Sequence, residues 1–232
     1  YIVTCDNEIE IINCKNKVGN VTVPAEIEGL SVTGIGVAAF ANLELLSNYN
    51  IFSAENSLLK VNLPESVEHI SSHAFAYNQY LRTVDFDDGV VSIGGGTFAY
   101  CYQLCVQLPD SVKTVGSEAF YDCEYVGLGR NVESLAYEAV SSNYVSIPST
   151  VTGFSENSIR GRFCITIYFD GTEAEFASLL DNNYIVFESD DYECDEVKYG
   201  LPEVMKVDDD FAYIVYNNEI EIIGYNRNKT DV

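Results

Sequence analysis

The chain has few positive charges. Its 232 residues include 12 lysines and arginines against 36 aspartates and glutamates, which gives a formal net charge of −24. Such a chain repels nucleic acids and the anionic surfaces of membranes at long range. The composition therefore disfavours both as partners. A solvated acidic surface is the simplest interpretation of the charge, and a cationic partner or calcium are the alternatives.

Long apolar runs and metal-binding motifs are also missing. No run of roughly eighteen apolar residues occurs, so the sequence predicts no membrane insertion. The only histidines, His69 and His73, have no third ligand beside them, and two ligands make a weak metal site. Seven irregularly spaced cysteines without a C-x-x-C pair fit neither a zinc site nor a disulfide scaffold. We therefore predict no metal and no cofactor.

A repeated segment dominates what the chain does have. Residues 63–75 begin with Leu-Pro, continue through valine and isoleucine at fixed spacing, and end in Ala-Phe. Residues 108–120 keep this spacing, and residues 86–98 keep it with Asp87 and Asp88 at the proline step. Self-similarity at such a period is the signature of stacked repeats. The sequence therefore predicts a mainly β repeat solenoid.

Each repeat, or rung, opens with an apolar-x-apolar strand triplet. Its outer residues should face the interior and its middle residue the solvent, because side chains alternate along a strand. A proline ends most of these strands, since it has no N–H to continue the ladder. The closing aromatic residues should stack as an interior row, with Val140 and Ile159 in the last rungs. The triplets are 61–63, 84–86, 106–108, 126–128 and 145–147.

The two ends of the repeats predict caps. Residues 1–23 form a predicted β-hairpin cap that covers one open end of the stack, as repeat arrays require. The rungs occupy residues 24–159. Residues 160–187 predict a C-terminal cap made of a strand and a helix, in which Thr172 and Glu175 have the spacing of a capping box.

The remaining chain predicts a linker and a second domain. Residues 188–211 are acidic and aperiodic, which is typical of a linker. Residues 212–232 almost copy the opening hairpin, so we predict the start of a second, truncated repeat domain and a tandem copy of the same domain in the parent chain. Residues 41–57 contain an insertion, which is either a binding loop or a segment that packs on the stack.

The repeat pattern resembles a known family. L-P-x-x-V-x-x-I-x-x-x-A-F-x-x-C, carried by residues 63–78, 86–101 and 108–123, is similar to the BspA-like leucine-rich repeat family. The resemblance implies a leucine-rich-repeat right-handed superhelix with short helical or turn segments on the convex side. It also implies an extracellular or cell-surface location in bacteria and a role in adhesion. The family has no shared catalytic residues, so we expect no enzyme activity.

The surface formed by the strand triplets, here called the strand face, is the candidate binding site. Solenoids offer such faces as extended binding surfaces, and tyrosine adds contact area at low entropic cost. We predict recognition of a protein or a glycan there, and the alternative is that these residues only face water. The candidate residues are Lys60, Asn62, Thr83, Asp85, Gln107, Tyr125, Tyr144 and Ser146.

The sequence also permits functions other than recognition through the strand face. A structural scaffold or spacer in a larger secreted enzyme is the alternative function. A glycan-hydrolysing solenoid is disfavoured, because Asp85 is the only carboxylate in the solvent row and hydrolysis needs a facing pair. The acidic runs at 190–191, 195–196 and 208–210 lack the register of a calcium loop, which favours a solvated linker.

Two cysteines occupy the same position in adjacent rungs. Cys101 and Cys123 are 22 residues apart, and neighbouring rungs are close enough for a disulfide. The family resemblance implies a lone thiol at this position, and we favour free thiols. A second group of tyrosines, at 77, 80, 100, 102 and 121, is predicted where the rungs join.

Overall fold

Stacked parallel strands build the molecule. The computed structural model describes residues 1–15, 17–42, 57–161, 165–187, 195–208 and 211–225. These residues form a β-solenoid of about 7 turns with one short helix, which confirms the predicted repeat solenoid. The insertion predicted within residues 41–57 lies almost wholly outside the described residues.

Most strands are short, because each rung turns away after a few residues. The first half of the chain contains β1 (Ile2–Val3), β2 (Ile9–Ile11), β3 (Gly19–Thr22), β4 (Glu26–Ile27), β5 (Leu30–Ile35), β6 (Leu58–Leu63), β7 (His69–Ile70), β8 (Thr83–Phe86), β9 (Ser92–Ile93), β10 (Cys105–Gln107) and β11 (Thr114–Val115).

The second half contains longer strands and the helix. They are β12 (Phe120–Gly127), β13 (Ser134–Leu135), β14 (Val140–Pro148), β15 (Ile159–Gly161), β16 (Thr166–Asp170), α1 (Glu173–Asp181), β17 (Ile185–Phe187), β18 (Glu196–Tyr199), β19 (Val204–Val207), β20 (Phe211–Tyr216) and β21 (Glu219–Tyr225).

The strands stack into parallel ladders along the solenoid. The strand face is built by β3, β6 and β8, followed by β10, β12, β14, β16 and β18. A second ladder runs through β2, β5, β7, β9, β11 and β13. The register places equivalent residues of successive rungs side by side, as in Lys60 beside Thr83 and Tyr125 beside Tyr144. The residues that align between repeats in the sequence are therefore the residues that pair between strands in the sheet.

The closing phenylalanines form the predicted interior row. Phe40, Phe75, Phe98 and Phe120 stack with centroid distances of 4.8, 5.2 and 5.2 Å between successive rings. All four side chains are buried. Val140 pairs with Phe120 in the ladder and continues the row. The aromatic ring is thus the unit that each rung contributes to the core.

A row of hydrogen-bond donors runs beside these rings. Asn78 Nδ2 donates to the carbonyl of Phe40 at 2.9 Å. In the next two rungs Cys101 Sγ and Cys123 Sγ donate to the carbonyls of Phe75 and Phe98, at 3.2 and 3.4 Å. Both cysteines are buried free thiols, as favoured from the sequence. Burial raises the pKa of Cys101 to about 12, so it stays a thiol and keeps its donor.

The caps form where the sequence places them. β1 and β2 make an antiparallel hairpin, and β2 pairs in parallel with β5, so Ile9 is buried against Val32. At the other end α1 begins at the predicted capping box. The Thr172 hydroxyl accepts from the N–H of Glu175, and the Glu175 carboxylate accepts from the N–H of Thr172.

The described part of the predicted acidic linker, residues 188–211, contains strands. β18 extends the parallel ladder by pairing with β16, and β19 pairs antiparallel with β20. Val197 and Met205 explain these strands, because each lies in a short alternating stretch that packs against a neighbouring sheet. The many acidic residues of this region made the alternation of apolar and polar residues difficult to recognise in the sequence.

Truncating one ring of the phenylalanine row should destabilise the array. Phe98→Ala removes a buried ring between two others, and we expect a loss of about 3–5 kcal/mol in the free energy of unfolding. Denaturant unfolding monitored by circular dichroism measures it. The control Val37→Ala, at an exposed position, should change stability by less than about 0.5 kcal/mol. Similar values for both variants would contradict the interior stack.

Candidate functional site

A small antiparallel sheet lies across the strand face. It consists of β19, β20 and β21 and is called the C-terminal sheet below. Asn217 and Asn218 connect β20 to β21 with positive φ angles of 51° and 63°, as a tight hairpin turn requires. Each of the two faces of this hairpin carries apolar side chains, since Ile214 and Ile223 are buried whereas Ile220 and Ile222 are exposed.

The inner side of the C-terminal sheet packs against the middle rungs. Its apolar side chains form one cluster with the outward-facing residues of β10, β12, β14 and β16. This second core is separate from the interior of the solenoid. Its members are Cys105, Tyr125, Tyr144, Tyr168, Met205, Val207, Ala212, Ile214, Tyr216 and Ile223.

One carboxylate anchors the C-terminal sheet. Glu221 Oε2 accepts hydrogen bonds from Tyr168 Oη at 2.6 Å and from Lys198 Nζ at 2.8 Å. Lys198 also lies over the Tyr168 ring, 5.2 Å from its centroid. The Tyr216 ring contacts the Tyr168 ring edge to face, and Tyr216 Oη donates to the carbonyl of Tyr199 at 2.8 Å. These polar contacts fix the position of the sheet within an apolar interface.

The interface shifts the pKa values of its ionisable groups. Burial, followed by the hydrogen bond to Glu221, raises the pKa of Tyr168. Burial raises the pKa of Tyr125 to about 12. For Lys198 burial alone would lower the pKa, but Glu221 and Glu196 outweigh it and the pKa is raised. Near neutral pH the site therefore holds neutral tyrosines and one paired ammonium group.

Two predicted site residues do not face the solvent. Tyr125 is 1% exposed and Ser146 is 3% exposed, and they share a hydrogen bond of 3.0 Å. Tyr144 belongs to the same covered cluster. The expectation of exposure is corrected for Tyr125 and Ser146, because it treated the strand face as bare. The chain's own C-terminal sheet covers these rungs.

The other predicted residues form an open part of the strand face. Lys60 and Asp85 make an ion pair across adjacent rungs at 2.5 Å. Thr83 lies beside Lys60 in the ladder, and Asn62 Nδ2 donates to the hydroxyl of Thr22 at 3.1 Å. Gln107 is exposed at the border of the covered region. These residues lie beside the C-terminal sheet and are not buried beneath it.

Several clefts lie beside the C-terminal sheet, and two of them include predicted site residues. One, of about 310 Å³, is lined by Lys60, Thr83 and Asp85 on the rungs and by residues 205–208 and Tyr213 on the sheet. The other, of about 400 Å³, lies at the far ends of β10, β12 and β14 beside residues 201–205. The structure thus combines the open rungs and the sheet into grooves that the sequence did not predict.

The remaining candidate groups lie apart from the strand face clefts. His69 Nδ1 is 2.8 Å from Ser92 Oγ on an exposed surface, and Asp195 Oδ1 accepts from the N–H of Ile165. Within the described ranges, no group of three or more histidine, cysteine, aspartate or glutamate side chains is placed to hold a metal ion. The acidic residues 190–191 and 209–210 lie outside those ranges. The helix in the described part of the chain is too short to cross a membrane.

The second tyrosine group is a ladder where the rungs join. The Tyr77 and Tyr100 rings stack at 4.9 Å, and Tyr121 and Tyr102 meet Tyr100 edge to face. The backbones of Tyr77 and Tyr100 have positive φ angles of 64° and 62°, so each sits in the turn that leads to the next strand. These rings pack against one another and thereby stabilise the turns that carry them.

Comparison with known proteins identifies the repeats. The family profile described as BspA type Leucine rich repeat region matches residues 12–127 and 47–168, with 6 copies. The chain belongs to the BspA-type leucine-rich repeat family. This family and fold are typically non-catalytic. A search of the curated proteins found no match.

Solved structures of leucine-rich repeat proteins are similar to the chain. A leucine-rich repeat protein from Bacteroides ovatus is 23% identical over 68% of the chain and 43% of its own length, with a TM-score of 0.48. A leucine rich cell surface protein from Faecalibacterium prausnitzii is 20% identical over 97% of the chain and 59% of its own length, with a TM-score of 0.47. The T. pallidum leucine rich repeat protein is 22% identical over 81% and 94%, with a TM-score of 0.47. The chain spans about half the length of the first two.

Releasing the C-terminal sheet should expose Cys105. Glu221→Lys replaces the anchoring carboxylate by a second ammonium group beside Lys198, so we expect alkylation of Cys105 to speed up at least tenfold, which corresponds to about 1.4 kcal/mol. Mass spectrometry of peptides measures the rate at each cysteine. Buried Cys101 should stay protected in both proteins, and exposed Cys5 should react quickly in both. Equal rates at Cys105 would contradict an anchoring role for Glu221.

The raised tyrosine pKa values predict a loss of stability at alkaline pH. A pKa raised by folding contributes stability that is complete below the unfolded value of about 10 and is lost as the pH rises through the folded value. The free energy of unfolding should therefore fall above about pH 10, and Tyr168→Phe should reduce that slope. Urea denaturation across a pH series measures both. An unchanged slope in Tyr168→Phe would rule out Tyr168 as a source.

Proposed function

We propose that this chain is a non-catalytic recognition module of a surface or secreted bacterial protein. It binds a protein or a glycan through the open part of the strand face. Family membership supports an interaction role, since solenoid faces serve as extended binding surfaces. The relative from Faecalibacterium prausnitzii is named a cell surface protein, which supports an extracellular setting.

The groove beside the open rungs carries this proposal. It is lined by polar side chains of two adjacent rungs, Lys60, Thr83 and Asp85, and by β19 with its exposed Lys206. Neighbouring rungs repeat about every 4.8 Å, which is also the spacing of paired strands. An extended segment of a partner could lie along the row with backbone and side-chain hydrogen bonds. Lys60 and Asp85 supply both signs of charge in one place.

The outer side of the C-terminal sheet supports the proposed tandem arrangement. Ile220 and Ile222 are 70% and 56% exposed. They correspond in sequence to Ile9 and Ile11, which pair with β5 of the first rung in the N-terminal hairpin. An apolar row that caps a rung in one copy of the hairpin is open in the other. We therefore propose that β20 and β21 begin a second repeat domain.

A scaffold or spacer role in a larger secreted enzyme is the second candidate function. The observation that favours it is the cover over the middle rungs, which buries Tyr125 and Ser146. A strand face that is covered in its middle rungs by the chain's own C-terminal sheet is suited to hold neighbouring domains in a fixed arrangement. The open rungs would then have no ligand.

A charge reversal in the groove tests the first proposal against the second. Binding of the full chain to a panel of purified extracellular proteins and bacterial and host glycans is measured by biolayer interferometry. We expect Asp85→Lys to weaken a panel ligand at least tenfold, which corresponds to about 1.4 kcal/mol. Glu65→Lys, at an exposed turn outside the groove, makes the same change in net charge and should preserve binding.

Three outcomes separate the candidates. Loss of binding in Asp85→Lys alone supports recognition through the open rungs. Equal loss in both variants indicates a general effect of charge and contradicts the groove. Binding by no member of the panel favours the scaffold role.

A further inference from the structure

The two hairpins of the chain share a sequence and a register. Both contain Y-I-V at the first strand and N-E-I-E-I-I from the turn through the second strand. Ile2 lies opposite Glu10 in the N-terminal hairpin, and Ile214 lies opposite Glu221 in the C-terminal one. Residues opposite each other in an antiparallel pair share a face. The two hairpins therefore present the same two faces. One face carries a row of isoleucines, and the other carries a glutamate flanked by isoleucines.

The two hairpins use opposite faces. In the N-terminal hairpin, Ile9 is fully buried against Val32 of the first rung, whereas its counterpart Ile220 is exposed. The other face shows the reverse. Ile214 is fully buried against the strand face, whereas its counterpart Ile2 is 44% exposed. Val3, which shares the face of Ile9, is 52% exposed, so the N-terminal hairpin buries this face mainly through its second strand.

The exposed face of the N-terminal hairpin repeats the docking residues of the C-terminal one. Ile12 is 45% exposed, and its counterpart Ile223 is buried in the docked interface. Glu10 corresponds to Glu221, the residue that accepts hydrogen bonds from Tyr168 and Lys198. Ile2 and Ile12 are exposed, and Glu10 is half-buried with its side chain beside Gly34 in β5 and Gly36 directly after it. The chain itself shows what kind of surface such a cluster binds.

We propose that the outer face of the N-terminal hairpin, formed by Ile2, Glu10 and Ile12, docks on the strand face of a second BspA-type repeat array. The partner surface is an apolar bed of strand residues with a tyrosine hydroxyl and a lysine ammonium group, as Tyr168 and Lys198 provide here. Glu10 takes the place of Glu221. This interface does not depend on ligand binding by the open rungs.

One difference makes this docking weaker than that of the C-terminal sheet. Thr4 occupies the position of Tyr216, whose ring packs on Tyr168 and whose hydroxyl donates to the carbonyl of Tyr199. Thr4 provides neither contact. A weak interface between two domains of one chain still forms, because a covalent connection supplies a high effective concentration. The proposal therefore rests on the tandem arrangement proposed above, in which the partner array is linked to this domain.

A hairpin exchange within the full chain tests the surface. Residues 213–223 are replaced by the sequence of residues 1–12, with serine at the transplanted Cys5 position. The interface then depends on the N-terminal hairpin sequence. We expect Cys105 to remain protected, with an alkylation rate within about threefold of the native chain, a change of less than about 1 kcal/mol. Peptide mass spectrometry assigns the reaction to Cys105, and protection of Cys101 shows that the solenoid is folded.

The matched control carries the same exchange with Ile2→Asp and Glu10→Lys in the transplanted segment. We expect it to alkylate Cys105 at least tenfold faster than the unmodified exchange, since it loses the apolar seal and the anchor. Rapid alkylation of Cys105 in the unmodified exchange, with Cys101 protected, would overturn the proposal. The outer face of the N-terminal hairpin would then be only the solvent side of a cap. Protection in both exchanges would also overturn it, because docking would not require these residues.

Discussion

Every part of this molecule depends on the parallel ladder between successive rungs. A rung of about 22 residues cannot bury its own apolar side chains, so it is stable only between two neighbours. The ladder sets the distance between neighbours, and the stacked rings of Phe75, Phe98 and Phe120 fill the space that it defines. The hydrogen bonds of Asn78, Cys101 and Cys123 to the carbonyls of the preceding rung satisfy groups at the turn. Folding of the stack is therefore cooperative between each rung and its neighbours.

The second constraint is that the ends and the outer faces of the ladder carry apolar groups that must be covered. The N-terminal hairpin closes one end, and α1 with β17 lies at the other. The strand face remains, with outward-facing tyrosines that are too large and apolar to be left wholly in water. The C-terminal sheet covers these tyrosines and builds a second core on the outside of the first. Glu221, Tyr168 and Lys198 give this second core a defined position, since an apolar surface alone would permit sliding.

Much of the fold follows from the sequence because the repeats are in register. Aligning residues 63–75 with 108–120 predicts the partners in the sheet, the buried row and the capped ends, and the structure confirms them. Contacts between distant segments do not follow in this way. Nothing in the spacing of Tyr125 or Ser146 shows that β20 and β21 lie above them. The available signal was that the C-terminal hairpin is apolar on both faces, with Ile214 and Ile223 on one and Ile220 and Ile222 on the other.

The position of the C-terminal sheet also determines how much of the strand face is left open. The apolar contacts of the sheet begin at β10, and the sheet is joined to the chain after β18, so its reach is counted from the C-terminal end of the solenoid. The rungs before β10 carry most of the open part, and Asp208 contacts Arg82 at the border of this part. Because the rungs are equivalent, a rung added at the N-terminal end would lengthen the groove by about 4.8 Å and leave the covered part unchanged. The number of rungs in the array thus sets the length of the open surface.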